Sequence, residues 1–188
     1  MVGAVGRNGS GKDTLVRYLK ERCGMAVLSL GDVVRGLAHL EEDLPTRDNL
    51  HEISQKYREK YGNDFFVKGI ITEIDRKSLK KVGVTGIRTP ADVDLLRKRY
   101  GSDFLLVYVQ VENPEIRFAR IKQRASIRDV QSYEDFLAQE RAEKDLFRMN
   151  ETIQRADVTI ANAGTMEDFH REIDQLISQH RFFQSLGC

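Results

Sequence analysis

Among all features of this chain, the stretch Gly6-Arg7-Asn8-Gly9-Ser10-Gly11-Lys12-Asp13-Thr14, standing directly after an apolar run at residues 2–5, narrows the fold most. Strand, glycine-rich turn and then a helix with Leu15, Val16 and Leu19 on one face is the order in which a loop can wrap a phosphate chain. Glycines let backbone N–H groups converge on oxyanions, the helix N-terminus adds partial positive charge, and Lys12 reaches toward terminal phosphates. A glycine-rich turn beside a surface lysine is the plainer alternative, but it needs the glycines, the lysine and the strand-loop-helix setting to coincide. The candidate nucleotide ligands are therefore Gly6, Asn8, Gly9, Ser10, Gly11, Lys12, Asp13 and Thr14.

The rest of the chain repeats the same alternation. Short aliphatic runs at 2–5, 25–30, 81–85, 104–111 and 157–161 are separated by helix-forming sequence, which predicts an α/β fold with a five-stranded parallel sheet and helices on both faces. Thr89-Pro90 and Asn113-Pro114 mark helix starts, Ser132 and Thr165 each have Asp three residues on, and Gly24 and Gly62 read as helix stops. Residues 1–188 are expected to form one domain, since 188 residues only slightly exceed one domain at about 150 each and no linker divides them. Its core covers about 1–31, 78–124 and 151–188; helical insertions occupy 32–77 and 125–150.

Thirty Lys and Arg against 29 Asp and Glu leave a net charge of +1, so no global field recruits nucleic acid or an anionic membrane. The longest strongly apolar run, 104–109, is far below the roughly 20 residues of a membrane helix, and no signal-peptide pattern opens the sequence. Cys23 and Cys188 make no disulfide framework and lack CxxC spacing, which fits a reducing cytoplasm. His39, His51, His170 and His180 show no metal or triad spacing.

Where many phosphate loops place Ser or Thr after the lysine, this chain has Asp13 and then Thr14. Gly-Ser-Gly-Lys-x-Thr resembles the variant loop of adenylate kinase and related nucleoside-monophosphate kinases, in which the hydroxyl also comes one residue later. Asp13 is then a metal-shell ligand or an outward-pointing first-turn residue. Further segments match the same family in order. Gly31-Asp32-Val33-Val34-Arg35 looks like its acceptor-binding Gly-Asp-x-x-Arg, and Gly86-Ile87-Arg88 is similar to its Gly-x-Arg turn. Arg120-Ile121-Lys122-Gln123-Arg124 resembles the Arg-x-x-x-Arg that leads into its lid, and Asn162-Ala163-Gly164-Thr165 its adenine-closing turn.

The resemblance implies a P-loop NTPase fold with an acceptor-binding helical insertion at 32–77 and a lid at 125–150. It implies ATP and Mg²⁺ as cofactors, and γ-phosphoryl transfer to a nucleotide-like acceptor: a nucleoside monophosphate first, dephospho-coenzyme A as the other candidate. Lys12, Arg88, Arg124 and Asp32 would be catalytic; Asp32, Arg35 and Arg88 would bind the acceptor; Arg120 and Gly164 would serve the ATP side; Asp13, Thr14 and Asp32 would serve the metal. Asp32 has a second reading, as a helix N-cap. Arg117, Arg120 and Arg124 share one helix face, while Arg128, Arg141 and Arg148 are lid candidates or members of a solvated, salt-bridged surface. Tyr57, Tyr61, Phe65 and Phe66 could flank a base or simply pack a core. Thr85 stands where related kinases end a strand with Asp, which motivates a rival reading as a nucleotide-binding regulatory or adaptor protein with lost transfer.

Overall fold

In the computed structural model, which describes residues 1–124 and 129–188, the predicted alternation becomes a five-stranded parallel sheet. The strands are β1 (Val2–Val5), β2 (Ala26–Ser29), β3 (Val82–Thr85), β4 (Leu105–Gln110) and β5 (Val158–Ala161), in the spatial order β2-β3-β1-β4-β5. Each strand is a residue or two shorter than its apolar run, or equal to it, because flanking residues such as Met25 and Val111 are buried without joining the ladder.

Side-chain alternation builds a core on each face of the sheet. On β4, Leu105, Val107 and Val109 pack with Leu15, Val16, Phe169 and Ile173, whereas Leu106 packs with Val34, Phe66 and Ile70 on the opposite face. Both faces being covered, the strands read as continuous aliphatic runs, and each fully buried Val, Leu or Phe contributes about 1.5–3 kcal/mol.

Helix α1 (Lys12–Cys23) follows β1 and ends at Gly24; α2 (Leu30–Leu40), α3 (Arg47–Tyr61) and α4 (Phe65–Arg76) fill the first insertion. Helix α5 (Pro90–Tyr100) opens with a capping box in which Thr89 accepts from the Asp92 N–H, and Asp92 accepts from that of Thr89. After β4 come α6 (Pro114–Arg124), α7 (Tyr133–Phe147, capped by Ser132) and α8 (Met149–Gln154); after β5 come α9 (Met166–Gln179, with a Thr165–Asp168 capping box) and α10 (Arg181–Leu186).

Two expectations change. Cys23, the last residue of α1, is disulfide-bonded to Cys188, with Cα atoms 4.6 Å apart, so the cysteines no longer argue for a reducing compartment. Asp32 is not an N-cap: the chain turns helical already at Leu30, which makes Ser29 the cap position and puts Asp32 in the first turn. Among the described residues no helix is long and apolar enough to cross a membrane.

Candidate functional site

The sheet order makes β1 central and reverses the connection direction beside it, the point at which open α/β sheets leave a crevice at their strand ends. The loop from Gly6 to Gly11 occupies that crevice. Gly9 and Gly11 take φ of +78° and +96°, and a Cβ on Gly9 would meet the Arg117 carbonyl at 2.5 Å. Ser10 is buried, its N–H held by the Arg7 carbonyl at 3.1 Å and its Oγ without a protein partner. Lys12 is the first residue of α1. Burial depresses the Lys12 pKa, Arg88 and Arg47 push the same way, and Asp13 and Glu143 oppose.

Parallel register sets Ser29 opposite Thr85, so the segments leaving β2 and β3 emerge side by side. They carry Arg35 and Arg88 to one cleft of about 410 Å³ that also holds Lys12, Asp13 and Asp32. Arg17, Lys20, Arg47 and Arg124 complete its cationic wall. With Lys12, Arg35 and Arg88 they make seven cations against two carboxylates, Asp13 and Asp32. Arg35 pairs with Asp32, whose side chain is 70 % exposed. Arg88 is braced from both sides: its N–H donates to Asp92 at 3.2 Å and its carbonyl accepts from the Thr152 hydroxyl at 2.8 Å.

A second cleft, of about 510 Å³, lies across the loop and shares Lys12, Asp13, Arg17 and Arg124 with the first. Its far wall contains Arg120, Asn162 and Gly164. Arg120 donates to the carbonyls of Asn162 at 2.9 Å and Gly164 at 3.2 Å, and burial lowers its pKa. The three arginines on one face of α6 avoid mutual repulsion because each has a separate partner: Arg117 the Glu140 carboxylate, Arg120 the turn after β5, and Arg124 the Asp129 carboxylate.

At the other end, the cationic cleft shares Gly31, Arg35, Arg47, Gly86 and Arg88 with a small pocket of about 50 Å³ walled by Leu50, Phe66 and Phe147. Of the four aromatic residues singled out in the first insertion, only Phe66 faces this pocket; Tyr57, Tyr61 and Phe65 stack on one another. Arg58 is buried and holds α3 to α5 through a two-pronged pair with Asp92, both contacts 3.2 Å. Arg148 pairs with Glu151 at the surface, Arg141 lines a separate surface depression with Arg7 and Lys144, and Arg128 lies outside the described residues.

Arg17, Lys20, Arg47 and Glu143 escaped the sequence reading, and His51 was weighed there only as a metal or triad residue. Two of them carried a signal. Arg47 is a cation in the first turn of a helix, where the dipole disfavours positive charge, and Glu143 lies on the α7 face that runs Phe136, Glu140, Glu143, Phe147.

The site suits a nucleotide triphosphate. Its loop has the glycine geometry, a buried hydroxyl lacking a partner and a surplus of cations. For magnesium the described residues offer no cluster of three or more His, Cys, Asp or Glu. Asp13, which lines both clefts, with Thr14 beside it in one cleft or Asp32 in the other, fits the sparse ligation that this ion accepts, one or two protein oxygens plus phosphates and water.

The family model of an AAA domain matches residues 5–137. A UPF0200 protein of Pyrococcus horikoshii is 30 % identical over 179 residues, covering 93 % of this chain and 94 % of that one. The chain belongs to the UPF0200 family. A UPF0200/UPF0201 protein of Archaeoglobus fulgidus is 36 % identical over 180 residues, 94 % of this chain; this UPF0200 chain spans 54 % of that relative's length. Solved structures of similar fold include a shikimate kinase from Acinetobacter baumannii in complex with shikimate, with TM-score 0.55 and 20 % identity, covering 96 % of this chain and 93 % of that one. A gluconokinase from Sinorhizobium meliloti has TM-score 0.56 and 17 % identity, covering 99 % and 94 %. The fold of this UPF0200 protein is thus that of P-loop kinases.

Proposed function

We propose that the protein is an ATP-dependent kinase that transfers the γ-phosphoryl group to a nucleotide or nucleotide-like acceptor, a nucleoside monophosphate in the first place and dephospho-coenzyme A in the second. The observation that carries this reading is one unbroken path. It runs through clefts that share lining residues, from the Arg120–Gly164 wall, past Lys12 and Arg124, to Arg88 and Arg35. It ends in a small pocket where Leu50, Phe66 and Phe147 stand beside Arg47, Arg58 and His51. A triphosphate laid along the loop would end at Lys12, with an anionic acceptor beyond it.

When bound, ATP would supply the phosphoryl group and Mg²⁺ would screen the phosphate charges. The chain's own residues bind and orient. Lys12 and Arg124 follow charge that moves with the phosphoryl group; Arg88 and Arg35 hold the acceptor anion bidentately; Arg120 and Gly164 serve the adenine end. Asp32, paired with Arg35 at the acceptor side, takes a hydroxyl proton or completes the metal's shell; Asp13 and Thr14 serve the metal. The first insertion closes over the acceptor, and the lid, of which 129–150 are described residues, excludes water so that it does not intercept the phosphoryl group. A cytoplasmic location goes with this reading.

The test is ADP release coupled to an indicator reaction across AMP, CMP, UMP, GMP, their deoxy forms and dephospho-coenzyme A. Shikimate and gluconate belong in the panel because of the two similar structures. One acceptor should stimulate turnover and gain phosphate, and Lys12→Ala should lower kcat by about 10²–10³-fold, the usual loss for one transition-state donor. Thr85, buried where an acid would otherwise end β3, supports the second reading, a nucleotide-binding regulatory protein. Tight ATP binding without transfer to any acceptor would favour it.

A further inference from the structure

The acceptor end of the cleft already contains an anion of the chain's own. Oε1 of Glu143, delivered by α7, lies 3.0 Å from Arg47 Nη1, 3.2 Å from His51 Nε2 and 3.3 Å from Arg88 Nη1. Donors from two segments of the chain, α3 and the turn after β3, converge on that one oxygen. The Arg88 contact, at 3.3 Å, is longer than the roughly 2.7–2.9 Å that charge-assisted N–H···O bonds favour, so a ligand with more acceptor oxygens can improve on it. Arg88 is not sealed away: its side chain keeps 27 % exposure, faces both the cationic cleft and the small pocket, and lies 5.0 Å over the Phe147 ring. Arg47, at 8 % exposure, has a buried Nε without a partner and a 3.5 Å contact from Nη2 to Asp129. Without Glu143, Arg47, Arg88, Arg124 and Lys12 would stand against Asp129 and Asp13, a net excess of cation. Burial pushes the Glu143 carboxyl pKa up, but Arg88, His51 and Arg47 outweigh this and hold it well below the ordinary carboxylate range, so the oxygen is anionic.

We propose that Arg47, Arg88 and His51 form a binding site for a phosphate or carboxylate oxyanion of the acceptor, and that Glu143 is its built-in competitor, giving up the two arginines when that oxyanion binds. The word acceptor rests on the kinase reading; the oxyanion site does not. A ligand here binds more weakly by the reciprocal of the fraction of molecules in which Glu143 has released the arginines, and a chain lacking that carboxylate is spared this loss.

The experiment titrates inorganic phosphate and, separately, acetate into the full chain with the phosphate loop filled by a non-hydrolysable ATP analogue and Mg²⁺. Binding and melting temperature are followed for the wild type, Glu143→Gln and Glu143→Gln/Arg47→Met. Glu143→Gln should bind at least one of the two anions about tenfold or more tightly than wild type, and that anion should raise its melting temperature. Adding Arg47→Met should abolish the gain, which assigns it to this site rather than the loop. A phosphate-only gain names a phosphoryl ligand; an acetate gain admits carboxylates. A folded Glu143→Gln that binds both anions no better than wild type overturns the proposal and leaves Glu143 as a structural counter-ion. Should Glu143→Gln not fold, Glu143→Asp, which keeps the charge but shortens its reach, should show a smaller gain; no gain there overturns the proposal equally. If the analogue does not bind even the wild type, the kinase reading fails, yet the comparison of anion binding stands.

Discussion

The side-chain amide of Asn162 donates to the backbone carbonyl of Ser10 at 2.8 Å, a buried bond that ties the end of β5 to the phosphate loop across 152 positions of sequence. The Asn162 carbonyl oxygens, backbone and side chain, accept from Arg120 at 2.9 and 3.4 Å, and a Cβ on Gly11 would run into its amide nitrogen. One residue thus holds the loop, the α6 arginine and the turn after β5 together.

Asn162→Ala should therefore do more than lose a contact. The Ser10 carbonyl remains buried without its partner, a cost of about 1–3 kcal/mol. The loop it positions should bind an ATP analogue more weakly. Thermal melts and titration with the analogue check both; an unchanged affinity in a destabilised but folded variant would limit Asn162 to a structural role.

The Arg58–Asp92 pair is completely desolvated on its acid side, Asp92 being 0 % exposed. Removing one partner strands a buried charge, so Asp92→Ala should destabilise by about 3–5 kcal/mol, and Arg58→Met similarly. The double variant should be more stable than the sum of the single losses predicts, since both charges then disappear. Asp92 also accepts from the Arg88 N–H, so Asp92→Ala alone should disturb the Arg88 end of the cleft. Denaturant unfolding of the four proteins measures the coupling.

Reduction of Cys23–Cys188 releases a cross-link between residues 165 apart. The expected loss is about 2–5 kcal/mol, read as a drop in melting temperature with dithiothreitol and reproduced by Cys188→Ser without reductant. Nucleotide affinity should stay the same, because the bridge joins the far end of α1 to the segment after α10 rather than to the loop.

Acid should expose the Glu143 network. Its carboxyl pKa is lowered on folding, so the stabilisation is complete above the unfolded value of about 4.3 and fades as pH falls from there toward the folded value. Glu143→Gln, which has no proton to take up, should show a shallower loss of stability between about pH 5 and pH 2. Arg47, Arg88 and His51 face this carboxylate, and Asp129 faces Arg47. Guanidine unfolding at stepped pH resolves the difference in slope; parallel slopes would count against the network as its source.

Much of the scaffold was readable from local pattern. Thr89, Ser132 and Thr165 cap the helices that their spacing announced, Gly24 and Gly62 stop α1 and α3, and the aliphatic runs became the five strands. Asp32 misled because the helix begins already at Leu30, with Ser29 in the cap position, earlier than an Asp cap requires. Cys23 and Cys188 gave no clue to their pairing, since disulfide formation depends on where two chain segments dock and not on spacing. Arg47 and Glu143 left only faint marks, a cation at a helix start and an acid on the helix face that also carries Phe136, Glu140 and Phe147.

Sequence alone thus determined the phosphate loop, the order of strands and helices and the segments bearing Arg35, Arg88, Arg120 and Arg124, because strand alternation, helix capping and glycine geometry act between residues a few positions apart. Tertiary structure decided what those cations face: Asn162 on Ser10, Arg117 on Glu140, and Arg47, His51 and Arg88 on Glu143. Ion pairs and buried hydrogen bonds depend on separation in space and on exclusion of water, and the Arg47–Glu143 bond spans 96 positions that only the folded sheet and its insertions bring to 3.0 Å.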